Sequence, residues 1–448
     1  MANTEMIADT VEDISRLPLP PGRYGLPLVG ETLTLLRDND FSLKRFRQYG
    51  PIYRTHLLGR PTIVMSGAEA NEFLLSSGMD HFSWEAGWPN TFKELLGRSL
   101  FLQDGEEHRH NRKLIAPAFH GRALAAYLST IDGIARGYLQ SWQKLETFAW
   151  FTEFKKMTFD IACTLLIGAP PGPETAQLSQ HFTDLTNGLL TLPVRLPGTP
   201  FYKAIKARDA ILQFVGQQIE IRRADPTQDA LSMLVHSQDE DGRAFSNDEL
   251  AAQAVLLLFA GHETTTSMLA SFCLLLAQHP AVWEKLRAEQ ANIPLSDPPV
   301  LADFRQMPYL EKVLLETERI YPPVAGGFRG VTKAFSFAGY QIPQGFQIQY
   351  NILNTHYDTA VFPEPEKFDP ERFSEENRTG RSHFSLVGFG GGPRTCIGKS
   401  FALLEIRLLA ARLLREYAWE ILPEQDTTII RVPTARPKDN LLVRFWRR

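Results

Sequence analysis

The most restrictive feature of the sequence is a long apolar stretch with a polar centre. Residues 250–260 (LAAQAVLLLFA) and 268–277 (MLASFCLLLA) are almost wholly apolar, and GHETTTS lies between them. Just ahead, Ser246-Asn-Asp-Glu249 has capping-box spacing, with Ser246 at the N-cap and Glu249 at N3. Pro280 stops the run. One continuous helix of this length reaches roughly 50 Å at 1.5 Å per residue. A helix apolar nearly all round is either a membrane span or the spine of a large core. In a bilayer His262 and Glu263 would sit near mid-depth at a cost of several kcal/mol, so the spine reading is preferred. A chain of 448 residues, 44% of them apolar, supplies the core that such a spine needs. The polar centre then requires a reason of its own.

The rest of the chain reads as mainly α with a minor β part. Residues 17–30 (LPLPPGRYGLPLVG) form a Pro- and Gly-rich lead-in. Two short strands follow, IYRTHLL and TIVMSG. From about residue 68 to 320, helices alternate with breaks at GAPPGP, LPVRLPGTP and IPLSDPP. Short strands return at 334–352, followed by an irregular stretch at 358–373 and a Gly-rich loop at 388–394. A last helix is predicted from about Ile397 to Tyr417, and TTIIRVPT with LLVRFW reads as a terminal hairpin. Residues 1–17 are polar and acidic, with no apolar run of about 18 residues and no basic start. They are expected to be a tail rather than a signal peptide or transmembrane anchor, which leaves 18–448 as the working domain and the cytoplasm as its location. A net charge of −4, from 47 basic and 51 acidic residues, gives no sign of a nucleic-acid partner.

Three cysteines at wide spacing make no disulfide framework and fit a reducing compartment. Cys163 in FDIACTLLIG and Cys273 in MLASFCLLLAQ read as core packing. Cys396 stands elsewhere, in FGGGPRTCIG at 389–398. Glycines and a proline there let the backbone fold tightly and present one sulfur. The helix starting near Ile397 aims its N-terminal amides back at that sulfur, which favours a thiolate. A thiolate on haem iron pushes electron density toward O–O cleavage. A Gly-rich turn with an incidental buried cysteine is the plain alternative.

Phe389, Gly392, Arg394, Cys396 and Gly398 match the pattern F-x-x-G-x-R-x-C-x-G position for position, and by it the chain resembles the cytochrome P-450 superfamily. Three more motifs stand in the family's order. Glu316-Thr-Glu-Arg319 resembles its E-x-x-R pair, whose side chains share a helix face. Pro370-Glu-Arg-Phe373 resembles its second-arginine motif, and Ala260-Gly261-His262-Glu263-Thr264-Thr265 its central-helix motif A-G-x-[DE]-T-[TS]. The likeness runs from about Pro20 to the C-terminus. It implies the single-domain cytochrome P-450 fold, haem b (iron protoporphyrin IX) between central helix and loop, Cys396 as iron ligand, and a bracing Glu316–Arg319–Arg372 network. It also implies propionate contacts from His108, Arg112, Arg329 and Arg394, although many members carry Trp where His108 stands. Ala260, Phe389, Ile397 and Gly398 complete the expected cofactor contacts, with Gly261 leaving room for a flat macrocycle. Thr264 can bond a carbonyl one turn back or a ligand, opening the ladder locally. Glu263 is costly in an apolar helix unless used; a capped kink with a surface ion pair is the bland reading.

The reaction implied is insertion of one oxygen atom of O₂ into a substrate C–H bond, with Glu263 and Thr264 delivering protons. Electrons must come from an external donor, a ferredoxin or flavodoxin with its reductase. Lys399, Arg407, Arg412 and Arg415 are either its docking patch or a solvated helix face. A haem-thiolate isomerase, a peroxygenase and a haem sensor are the rival readings, and the Glu263-Thr264 pair argues against each. Trp84, Trp88, Phe92, Leu95, Phe259, Val324, Gly326, Phe328 and Pro433 are expected to line a pocket for a small lipophilic substrate. PPVAGGFR and LPVRLPGTP further resemble the retinoic-acid-hydroxylating branch, including its cyanobacterial relatives. Retinoic acid or a related isoprenoid acid is therefore the expected substrate, with fatty-acid or terpenoid hydroxylation as the alternative. The apolar segment 189–200 stands where a loop should face solvent, so it is expected to gate a channel or touch a membrane peripherally. Within it Arg195 is a candidate partner for a substrate carboxylate, and polar residues at Leu192 or Leu196 should weaken binding.

Overall fold

The capped spine forms as the sequence predicts. In this computed structural model, which describes residues 14–27 and 29–448, the central helix runs unbroken over Asn247–Gln278. Glu249 N donates to Ser246 Oγ at 3.3 Å and Ser246 N to Glu249 Oε2 at 2.9 Å, closing the capping box. The helices Trp150–Leu166, Pro200–Ala224, Pro308–Ile320 and Lys399–Glu416 all pack on it, so apolar residues are required on nearly every face. The Thr266 and Thr158 hydroxyls meet at 2.8 Å in the first of these interfaces. Cys163 and Cys273 are fully buried in the same core, where burial pushes both thiols up, so they serve packing. Among the described residues no helix is long and apolar enough to cross a membrane. Of the predicted N-terminal tail, residues 1–13 lie outside the described residues, and Ile14–Arg16 form a single 3₁₀ turn.

The minor β part includes a five-stranded sheet ordered Ile52–Leu57, Arg60–Met65, Gln347–Asn351, Gly326–Val331, Phe82–Ser83. Only Arg60–Met65 with Gln347–Asn351 is a parallel pair. The register sets Arg329 opposite Ile348 and Gly327 opposite Tyr350. A Cβ on Gly327 would come within 2.6 Å of the Tyr350 ring, so the paired glycines of PPVAGGFR answer to strand packing first.

The predicted terminal hairpin does not form. Ile429–Ile430 pairs with Arg436–Pro437, whereas Leu442–Arg447 joins Tyr417–Ile421 and Thr147–Ala149 in a separate sheet. Phe445 explains the choice: it packs against the rings of Trp142, Trp150 and Tyr417, a surface that a two-residue strand cannot offer.

Candidate haem-thiolate site

Buried side chains from distant segments hold the loop that carries Cys396. At the end of helix Pro308–Ile320, Arg319 Nε and Nη2 each donate to the Glu316 carboxylate at 2.7 Å, with both side chains fully buried. Arg319 also donates to the carbonyls of His356, Pro365 and Lys367 at 3.1, 2.8 and 3.2 Å. Arg372 Nε lies 3.4 Å from Glu316 Oε1, so the expected three-residue network is assembled. It satisfies carbonyls of the irregular stretch 358–373, which has no ladder to do so.

Two further supports were not singled out in the sequence. His356 Nδ1 donates to Arg319 O at 3.2 Å, and its Nε2 accepts the Val387 N–H at 3.0 Å. Burial, then the Arg319 charge, hold this imidazole down to about 3, so it is neutral and free to accept. Next along, the Glu318 carboxylate lies against the backbone N–H groups of Gly388 and Phe389. A Cβ on Gly388 would come within 2.5 Å of Glu318 Oε1, so only glycine fits there. Phe389 O then accepts the Cys396 N–H at 2.8 Å. The Cys396 sulfur is open to an internal cavity yet deep in the protein. Burial pushes its thiol up, while the Gly398 and Lys399 amides and the Arg112 charge pull toward thiolate.

That cavity has a volume of about 430 Å³. His108, Arg112, Arg329 and Arg394 all reach it. Arg112 donates to Thr395 O at 2.6 Å, and Arg394 to Gln103 O and Leu100 O at 2.8 and 3.1 Å. Trp84 lies between two guanidiniums: those of Arg329 and Arg394 are each 3.9 Å from its ring centroid. Its position is therefore as much a brace for the cations as a wall for substrate. Asp104, 3.9 Å from Arg394, is the one carboxylate in ion-pair range of the cluster among the described residues. Burial first, then Arg329, brings Arg394 down to about 9; burial, then Arg394 and Arg112, brings His108 down to about 3, a neutral imidazole. Arg329 Nε has no hydrogen-bond partner among the described residues. Buried cations so poorly matched call for anions. Two propionates would supply them, and with a sulfur on the same cavity the residues fit haem.

The central helix forms another wall, through Phe259, Ala260, Glu263 and Thr264. Thr264 Oγ1 donates to Ala260 O at 2.8 Å, and Thr265 and Thr266 repeat the pattern one residue on. The helix stays regular, so these hydroxyls add to the ladder rather than open it. Gly261 is not part of the wall: a Cβ there would face Leu166 Cδ1 at 3.4 Å. The turn of roughly 100° per residue carries it off the face shared by Ala260 and Thr264. Glu263 is buried beside Lys155 Nζ at 2.6 Å, with His262 Nε2 at 3.4 Å. Burial alone pushes its carboxyl up, but His262 and Lys155 outweigh this and hold it down to about 2. An ion pair thus exists, buried at the cavity rather than on the surface.

Trp88, Phe92, Val324, Gly326, Phe328, Ile397 and Pro433 also line the cavity, whereas Leu95 packs toward Gly188. Phe389 and Gly398 act through backbone groups instead. Leu35, Leu36, Phe41 and Arg431 complete the far end; none of the four was singled out in the sequence, although Pro433, two residues past Arg431, was. Two further expectations need correction. Arg195 donates to Glu94 at 2.6 Å and does not reach the cavity. Its neighbours Leu192 and Leu196 face solvent as expected, 79% and 65% exposed, while Leu189 and Leu190 line the cavity. The cationic patch is also largely spent: Arg407 pairs with Glu311, buried Arg412 with Asp132 at 2.9 Å, and Arg415 bonds Gln290 and Ile293 O. Lys399 alone stays exposed, over the Phe389 ring.

Comparisons with known proteins agree with this geometry. Residues 20–444 match the family described as Cytochrome P450. Cytochrome P450 120 of Synechocystis sp. is 43% identical over 97% of this chain and 98% of its own. Cytochrome P450 26B1 of Xenopus tropicalis is 35% identical over 98% of this chain and 89% of its own. The solved structure of retinoic-acid-bound cyanobacterial CYP120A1 superposes with a TM-score of 0.91 at 43% identity, over 96% of this chain and all of that one. A sulfur-bearing Gly-rich loop, a buried Glu316–Arg319–Arg372 brace and a cation-walled cavity under an acid–alcohol helix are thus met in one chain with family-wide likeness, and the chain belongs to the cytochrome P450 family of haem b monooxygenases.

Proposed function

We propose that this monooxygenase, acting through residues 18–448, hydroxylates an isoprenoid acid, with retinoic acid the first candidate and Cys396 the thiolate that would hold the haem iron. The observation that carries the reading is one cavity that joins the Cys396 sulfur to an apolar corridor ending at residues 35–42 and 431–434. Its walls of Trp88, Phe92, Leu256, Phe259 and Phe328 suit a long unsaturated hydrocarbon. A solved relative was captured with retinoic acid, which supports the same class.

When bound, haem supplies the activation of O₂ and the oxygen-atom transfer. Arg112, Arg329, Arg394 and the neutral His108 would hold its carboxylates. The Thr264 hydroxyl donates to Ala260 O and so turns its oxygen to the cavity, where it would accept a hydrogen bond from a proton-carrying water. Glu263, kept ionised by His262 and Lys155, anchors the water through which protons would reach Thr264. The apolar walls keep bulk water out. Electrons arrive from a separate ferredoxin or flavodoxin in the cytoplasm, and the exposed tip around Leu192 and Leu196 acts as a channel gate with shallow membrane contact.

Two measurements test this. Cys396→Ser should abolish the thiolate Soret band of the reduced CO complex; its survival would show that another residue binds iron. Retinoic acid should shift the Soret band of the resting protein and be hydroxylated with O₂ and a reductant. A shift with fatty acids or terpenes of similar length, and none with retinoids, would change the substrate class and leave the chemistry standing.

A further inference from the structure

Arg431 stands in the wall of the same cavity, at the end shared with Asp38, Asn39 and Phe41. Its side chain is 17% exposed, and its guanidinium donates no hydrogen bond to any described residue. Among the described residues the one charged group in ion-pair range is Asp40, whose Oδ1 is 3.9 Å from Nη1 and whose own side chain is 59% exposed. Asp38, the other acid at this end, is taken by Lys44 at 2.8 Å. The remaining cations of the cavity are engaged elsewhere: Arg112 and Arg394 bond backbone carbonyls, and Arg329 stacks on Trp84. Arg431 is thus a mostly desolvated five-donor fork held only by a loose contact.

The chemistry that completes it is a carboxylate. Between Arg431 and the Cys396 sulfur the wall is largely aromatic and aliphatic. A ligand filling it must be apolar along its length and anionic at the end away from the iron. We propose that Arg431 is the carboxylate-binding residue of the substrate channel, taking a forked, charge-assisted pair in place of Asp40. The oxidised carbon then lies at the hydrocarbon end of the substrate, remote from its carboxylate. This rests on the isoprenoid-acid reading, sharpens it, and takes over the role that Arg195, bound to Glu94, cannot fill.

The test is spectral titration of the haem-loaded protein with retinoic acid and palmitic acid, each beside its primary alcohol. Arg431→Gln should weaken both acids on the order of tenfold or more and leave the alcohols unchanged. Asp40→Asn, which removes the competing carboxylate, should tighten both acids. Equal acid affinity in wild type and Arg431→Gln overturns the assignment whatever the substrate. Arg431-dependent binding of palmitic acid with retinoic acid silent keeps the assignment and sinks the retinoid reading. A wild type that binds neither acid overturns both. Should Arg431→Gln fail to load haem, Asp40→Asn decides alone, and unchanged acid affinity there counts against Arg431.

Discussion

Beneath Cys396 and at the far end of the cavity, the protein treats charge in opposite ways. Under Cys396, Glu316, Arg319, Arg372 and His356 close on one another and on backbone carbonyls at 2.7–3.4 Å. At the far end Arg431 faces Asp40 at 3.9 Å, and outside the cavity leucines at 192 and 196 stand in water. Dense partnering gives a rigid seat, which a sulfur that is to hold one geometry needs. Incomplete partnering leaves room for a ligand to supply the missing bonds and for a loop to move. The half that handles electrons is locked, and the half that meets substrate is slack.

The largest expected effect breaks the locked half. Arg319→Ala strands Glu316 as a buried unpaired charge at a cost of about 3–5 kcal/mol, read by denaturant unfolding of the haem-loaded protein. A cost under about 1 kcal/mol would mean that the brace is not what makes this half rigid.

Glu318 tests the same half through pH. Burial raises its carboxyl from 4.5 to about 7 in spite of Lys399 and the Gly388 amide. The folded state therefore disfavours the charged form. The penalty is absent well below pH 4.5, grows as pH rises toward 7, and is constant above. Wild type should lose up to about 3 kcal/mol across that window, and Glu318→Gln should remove that loss. Parallel pH–stability curves for the two proteins would contradict the assignment.

On the cavity side, Thr264→Ala should keep haem and substrate affinity but divert electrons into hydrogen peroxide, lowering product per electron about tenfold. Unchanged coupling would place proton delivery elsewhere. The smallest effect belongs to the slack half: Arg195→Gln removes a surface pair and should move stability by less than about 0.5 kcal/mol, with acid affinity unaltered. A clear loss of retinoid binding there would restore Arg195 as a substrate contact.

Sequence alone determined whatever lies within one element or one loop. Ser246 with Glu249, Glu316 with Arg319, and the Phe389–Gly398 loop are each a few residues apart, so helix pitch and turn chemistry place their groups before any packing occurs. The spine was legible for the same reason, since its apolar pattern is a local property. Only the tertiary structure decided the rest. It paired Lys155 with Glu263, His356 with Val387 and Asp132 with Arg412, turned Gly261 off the cavity, and sent Leu442–Arg447 to a different sheet from the one its spacing suggested. Each outcome depends on which face of one element meets which face of another. Those meetings are set by how the whole set of side chains fills space, and no spacing along the chain records them.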